Sequence, residues 1–303
     1  LLNSNYKDFE ILVIDDGSTE SLGKTLKDNN LVKLIKNSSN LGPSISRNNA
    51  ASIAQGELLF FLDVDTKIKP DALTNAAKAF KENSQMGAAQ AQLIFGNTNK
   101  LDSAGHYLSP IGFPYENGNN QPVSKFKTKL KILGGKSAGL IIRKKIFDQI
   151  NGFDEDYFIY AEDTDLCWRV WLAGYQVFYL PSVKIHHFLK SSLNRSTNYR
   201  IFYEGAKNNL ANLFKNLSVE RLIWMGPIHV LCWILLSIKL FLQGKFKLSF
   251  WIYRGLFWNI SNLPNNLKKR RSIKNHQLDS NILFGETNFQ LLVKKGIKWL
   301  KYV

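Results

Sequence analysis

Sulfur is scarce in this sequence. Its 303 residues include two cysteines, Cys167 and Cys232. They lie too far apart for a metal-ligand pair, which excludes a disulfide framework and points to a reducing compartment. Acid is scarce in the last third. Residues 1–190 hold 22 Lys and Arg against 20 Asp and Glu, whereas residues 191–303 hold 18 against 4. Nearly all of the formal net charge of +16 therefore sits at one end. Such asymmetry marks a polyanionic surface as partner. The same stretch is apolar and aromatic, which favours anionic lipid and argues against nucleic acid. Leu1-Leu2-Asn3-Ser4 shows neither the basic start nor the apolar run of a secretory signal, and no initiator Met. A piece of a longer chain, without a leader, is the expectation. No internal repeat is visible. What remains is 45% apolar, enough to build one large domain, or one domain with a smaller appendage.

Short apolar runs alternate with helical stretches. Glu10–Ile14 reads as a buried strand ending in the turn Asp15-Asp16-Gly17-Ser18. Val32–Ile35 is a second strand, Asn40–Pro43 a loop, and Ser44–Gln55 a helix closed by Gly56. Leu58–Leu62 is a third strand, stopped by Asp63-Val64-Asp65, and Pro70 opens a helix to about Asn83. Residues 96–132, rich in Gly, Asn, Pro and Lys, read as a variable loop. Gly134–Ile142 is strand-like, 162–173 helical, and Val177–Leu180 and Val183–Ile185 are strands preceding His186-His187. This order predicts an α/β domain with a mixed, mainly parallel sheet flanked by helices. In such sheets ligands sit at the carboxyl ends of strands, where both acidic clusters fall.

Asp63 and Asp65 flank one residue at a strand end. Two carboxylates so placed suit a hard cation, Mn²⁺ or Mg²⁺, shared with a diphosphate. The bland rival is a solvated turn capped by Asp side chains. Asp15 and Asp16 suit hydrogen bonds from a base or ribose, against the rival that Asp16 or Ser18 caps the following helix. Glu162, Asp163 and Asp165 open a helix, where acids also stabilise through the dipole. Read functionally, Asp163 is the candidate general base and Glu162 the second. His186 and His187 end a strand, and one imidazole there suits a metal or a diphosphate. Arg47 reads as a phosphate or base contact, or as a charge on a helix surface.

Taken together, Glu10–Ser18 (EILVIDDGS), Asn40–Asn49 (NLGPSISRNN), Gly56–Asp65 (GELLFFLDVD), Gly152–Arg169 (GFDEDYFIYAEDTDLCWR) and Val183–His187 resemble family 2 glycosyltransferases of GT-A fold. Arg254–Lys274 is similar to the C-termini of rhamnosyltransferase-like members. The resemblance implies inverting transfer from a nucleotide-diphosphate sugar donor to a hydroxyl of a glycan or lipid-linked acceptor. The donor would be dTDP-rhamnose or a UDP-hexose. It implies Asp15 at the nucleotide base, Asp65 on the metal, Asp63 near ribose or metal, Asp163 as base and His186 at metal or diphosphate. Members of the family begin with a further strand, which would lie beside Ile11–Ile14. Its absence predicts an exposed edge, an incomplete nucleotide pocket, and reduced activity or solubility relative to a longer chain.

Residues 1–195 are expected to form the catalytic domain, and 196–303 a helical, basic, membrane-associating region. Arg200–Asn216 reads as an amphipathic helix. Leu222–Leu242 is long enough to span a bilayer, but Pro227, His229 and Lys239 interrupt it. With Leu248–Ile260, the basic run Lys268–Arg271 and the tryptophans Trp224, Trp233, Trp251 and Trp258, it favours an interfacial helix pair over a transmembrane span. The expected location is the cytoplasmic face of the cell membrane. Two rival functions remain at this stage. A nucleotidyltransferase would carry a Gly-rich phosphate loop near its start. A non-enzymatic lipid- or nucleic-acid-binding protein would leave the acidic clusters without a role.

Overall fold

The apolar runs become strands because β-branched and large apolar residues can be buried there on both faces of a sheet. The computed structural model describes residues 1–19, 31–188, 199–273 and 277–285. In chain order the first part contains β1 (Ile11–Asp15), β2 (Val32–Lys36), α1 (Pro43–Ile53), β3 (Leu58–Leu62), β4 (Thr66–Ile68), α2 (Ala72–Glu82), β5 (Met86–Phe95), β6 (Leu101–Ser103), β7 (His106–Leu108), β8 (Pro114–Glu116), β9 (Leu130–Lys131), β10 (Gly139–Arg143), α3 (Lys144–Gln149), α4 (Glu162–Leu172) and β11 (Gln176–His187). A helical layer follows: α5 (Tyr199–Asn216), α6 (Val219–Leu242), α7 (Phe246–Ser261), α8 (Leu263–Ser272) and the short α9 (Ser280–Phe284).

The main sheet has seven strands in the order β3-β10-β5-β11-β4, with β6 added to β5 and β9 to β11. Mixed α/β architecture is met, but the parallel share is smaller than expected. Only β5 and β11 pair in parallel within this sheet, because β10 re-enters antiparallel between β3 and β5. Residues 96–132 are also corrected: β6 to β9 run through them and much of the stretch is buried. Strands of two or three residues are too short to show alternation, so composition alone made them look like loop.

Side chains on β5 point alternately to the two faces. Ala89, Ala91 and Leu93 meet Ala72, Ala76 and Phe80 of α2 on one side. Ala88 meets Leu140, Val177, Leu166 and Val170 on the other, beneath α4. Phe80 is 1% exposed, and burying such a ring stabilises by roughly 1.5–3 kcal/mol.

Strands β1 and β2 form a separate parallel pair. Among the described residues, one edge of β1 has no strand beside it. It faces β3 across a cleft of about 1800 Å³, walled by Ile11–Ile14, Leu58–Leu62 and the Arg47 side of α1.

Helix α5 packs against α4, α6, α7 and α8. Leu213, Leu217 and Met225 join the core beneath the sheet. Phe113, Phe202, Trp233, Leu236 and Ile252 make a separate cluster. The boundary expected at 195/196 lies outside the described residues.

Candidate active site

The chain turns sharply after β3. Thr66 donates its backbone N–H (3.1 Å) and its hydroxyl (2.6 Å) to the Asp63 carbonyl, which closes the turn and leaves Val64 fully in solvent. Strand β4 then runs antiparallel to the end of β11, with Thr66 opposite His187. This pairing brings the ligand atoms of Asp63, Asp65 and His187 within 4.8 Å of one another. His187 Nε2 lies 3.3 Å from Asp65 Oδ1, and its Nδ1 lies 2.8 Å from Asp102 Oδ2 on β6. Asp102 thereby orients the ring and leaves Nε2 facing the two acids. Two carboxylates and one imidazole form a donor set that fits a divalent cation such as Mn²⁺.

The geometry corrects the expectation for His186. Consecutive strand residues face opposite sides. His186 Nδ1 lies 2.6 Å from the Gly96 carbonyl, and its neighbour His187 is the histidine beside the carboxylates.

Asp102 is also held by Lys136, whose Nζ lies 2.9 Å from Asp102 Oδ1 and 3.5 Å from Glu116 Oε1. Burial alone would raise the Asp102 pKa, but the His187 hydrogen bond and the Lys136 charge hold it below the ordinary range. Burial alone would lower that of Lys136, but Glu116 and Asp102 reverse the shift, so it stays charged.

Arg47 is neither on the surface nor free. From α1 it donates Nη2 to Asp63 Oδ1 and Nη1 to Glu162 Oε1, both at 3.0 Å. It therefore joins the acidic turn to the first residue of α4. Helix α1 is anchored by Asp16. Asp16 Oδ1 accepts from Asn37 Nδ2 (2.8 Å) and Leu41 N–H (2.9 Å), and Oδ2 accepts from Gly42 N–H (2.9 Å). Gly42 has φ 85°, which suits glycine, and a Cβ there would meet Phe158 at 2.8 Å. The Asp16 carboxylate thus holds the loop ahead of α1; the helix that Asp16 or Ser18 was expected to cap lies outside the described residues. Asp15 ends β1, is buried, and accepts the Ser18 N–H at 2.8 Å. Hydrogen bonds from Ser18 hold its pKa below the ordinary range.

Helix α4 starts with three acids in different surroundings. Asp165 is fully buried and bound by Arg169 (Nη2, 2.7 Å), Lys215 (Nζ, 2.9 Å) and Asn216 (Nδ2, 2.9 Å), a structural ion network. Asp163 Oδ1 accepts the Thr164 N–H at 2.7 Å, and its Oδ2 the Ser137 N–H at 3.3 Å. Burial raises the pKa of both Glu162 and Asp163, aided by Asp163 for Glu162 and by Glu116 for Asp163. Carboxyl groups raised in this way have the character of acid–base groups. His106 stands behind them, with Nε2 2.9 Å from Thr164 Oγ1, and burial lowers its pKa to about 4, so it is neutral. Sequence reasoning missed Asp102, His106, Glu116, Lys136 and His187's priority over His186. The local signal for the first three was two acids, Asp102 and Glu116, and one histidine, His106, within residues 96–132.

Residues 1–150 match the model of glycosyl transferase family 2, and residues 122–191 that of the N-terminal domain of galactosyltransferase. The O-antigen biosynthesis protein RfbC of Myxococcus xanthus is 28% identical over 199 residues, covering 62% of this chain and 16% of that protein. The N-acetylglucosaminyl-diphospho-decaprenol L-rhamnosyltransferase of Mycobacterium tuberculosis is 43% identical over 56 residues, 18% of each chain. The chain thus matches less than a fifth of the length of either relative. Among solved structures, GalNAc-T7 with UDP, GalNAc and Mn²⁺ superposes with a TM-score of 0.57 at 15% identity, covering 89% of this chain and 53% of that one. At that identity the likeness speaks for a shared GT-A fold. With the family model covering the strands that carry the acidic turn, this chain belongs to glycosyl transferase family 2.

Proposed function

We propose that the protein transfers a sugar from a nucleotide-diphosphate donor to a hydroxyl of a glycan or lipid-linked acceptor in cell-surface polysaccharide synthesis. The observation that carries this reading is the link Asp63–Arg47–Glu162. It supports the reading because it joins the acids that could hold a cation to the raised-pKa carboxyl pair at the start of α4. Asp65, Asp63 and His187 would hold a divalent ion, Mn²⁺ or Mg²⁺, which when bound neutralises charge on the leaving diphosphate. Asp163, supported by Glu162, takes the proton of the acceptor hydroxyl as its oxygen attacks the anomeric carbon in line. Arg47 keeps Glu162 and the turn in register, which lowers the entropic part of the barrier. Asp15 receives the nucleotide base. Rhamnose linked to dTDP is the first donor to try, because an aligned relative is named as a rhamnosyltransferase. UDP-hexoses come next. A donor screen reading released nucleotide diphosphate tests this: release that requires acceptor and metal supports transfer, and release from no donor contradicts it.

The same reading places the enzyme at the cytoplasmic face of the cell membrane, seated peripherally. Helix α6 is long and apolar enough to cross a bilayer, yet 39% of its apolar window is buried inside the protein. His229 and Trp233 are on that buried face, joined by Trp233 Nε1 donating to His229 Nε2 at 3.0 Å. The outward face presents Ile223, Leu231, Leu235 and Leu242, and α7 adds Phe250 and Phe257, each more than half exposed. Exposed Lys245, Lys247 and Arg254 accompany them. An apolar face with basic neighbours suits an in-plane seat on anionic lipid. Release by detergent, but not by high salt alone, supports that seat. Recovery wholly in the soluble fraction at low salt contradicts it.

A further inference from the structure

Helix α5 carries Asn208, Asn212 and Asn216 at intervals of four, so they form one stripe along it. All three are buried, at 0%, 3% and 0% exposure. A buried carboxamide left unbonded is destabilising, and an apolar side chain would avoid that cost. The amide nitrogens have specific partners on the segment that leads into α4 and in its first turn, whereas Oδ1 of Asn208 and of Asn216 has no hydrogen-bond partner among the described residues. Asn208 Nδ2 donates to the carbonyls of Ile159 (3.0 Å) and Tyr160 (2.8 Å). Asn212 Nδ2 donates to the Ala161 carbonyl at 3.0 Å, and its Oδ1 accepts the Tyr157 hydroxyl at 2.8 Å. Asn216 Nδ2 donates to Asp165 Oδ1 at 2.9 Å.

That segment is strained. Tyr160 has φ 69° and Ala161 φ 63°, both in the left-handed region. For residues with a Cβ this conformation is unfavourable and persists only where the surroundings enforce it. Ala161 is also the N-cap of α4 and has no side-chain cap bond, so the backbone at 160–161 fixes where Glu162 and Asp163 begin.

We propose that Asn208 and Asn212 are positioning residues for the reaction. They clamp residues 159–161 in the left-handed turn that aims Glu162 at Arg47 and Asp163 at the Ser137 backbone. The proposal rests on the reading of Glu162 and Asp163 as the acid–base pair. Asn209 supplies an internal control. It is buried on the same helix, but its Nδ2 donates within the helix, to the Gly205 carbonyl at 2.9 Å.

The test compares Asn208→Leu, Asn212→Leu and Asn209→Leu in the full chain. The two clamp variants are expected to lose about 100-fold in kcat, the scale of a displacement near 1 Å. UDP binding in the presence of Mn²⁺ should stay within about two-fold, and Asn209→Leu should keep its rate. Asn212→Asp removes the donor at constant size and serves if the leucine variant is insoluble. Amide exchange across residues 157–165 gives a reading that needs no turnover. It should quicken at least about ten-fold in the clamp variants and not in Asn209→Leu. If exchange responds but no donor turns over in the unaltered protein, the acid–base reading fails and the clamp stands. Unchanged exchange in the clamp variants, or an equal response in Asn209→Leu, overturns the clamp.

Discussion

Helices α5 and α6 lie side by side and distribute polarity in opposite ways. Buried positions of α5 include Glu204, Lys207, Asn208, Asn212, Lys215 and Asn216, whereas α6 leaves Ile223, Leu231, Leu235 and Leu242 in the open. A buried polar helix stays stable only when most of its groups are matched, and the loop ahead of α4 takes the amide donors of Asn208 and Asn212 while Asp154 and Asp165 take the Lys215 charge. An exposed apolar helix in a monomer marks a surface built for something else. The polar interior therefore faces the proposed acid–base pair and the apolar exterior faces the proposed membrane.

The first way to break this comparison is at the chemical side. Asp163→Asn should lower turnover by roughly 10²–10⁴-fold while leaving metal and nucleotide binding intact, as steady-state rates and calorimetry would read. Because burial raises the pKa of Glu162 and Asp163, and the base must be deprotonated, activity should fall as pH drops through that raised value. The acid limb of kcat/KM should therefore lie above the ordinary carboxylate range.

Next comes the support of the cation site. Asp102→Asn keeps an acceptor for His187 but removes the charge facing Lys136. Mn²⁺ affinity should weaken about 10–100-fold with the fold retained. Unchanged affinity would separate Asp102 from the site.

The apolar exterior is broken by Leu235→Glu with Phe250→Glu. Sedimentation with vesicles containing anionic lipid should show binding reduced by at least about ten-fold, and the melting temperature should change little because both residues are exposed.

The smallest effect is a pH slope in stability. Burial would raise the Asp154 pKa, but Lys215 and Lys269 hold it below its ordinary value of 3.8. Its contribution is complete above that value and is lost as pH falls below it through the folded pKa. Urea midpoints should decline over this acid range, and Asp154→Asn should flatten the decline.

How much of this was legible in the sequence follows from how local each signal is. Strand β3 and its acidic turn are contiguous, so the apolar run and Asp63-Val64-Asp65 could be read directly. The start of α4 was equally local. The choice between His186 and His187 was not, because it depends on strand parity in β11 after a register shift near Leu180. Asp102 meets His187 across 85 positions, from a three-residue strand with too little periodicity to detect. The asparagine stripe was visible as a four-residue spacing. The polar side of an amphipathic helix ordinarily faces solvent, however, and only the packing of α4 against α5 puts this stripe inside.

The most direct measurement is calorimetric titration of the protein with UDP, with and without Mn²⁺, for the native sequence and Asp65→Ala. The account predicts nucleotide binding that strengthens at least about ten-fold with Mn²⁺ in the native protein and no such gain in Asp65→Ala. Equal binding with and without metal, or a gain that survives Asp65→Ala, would contradict it.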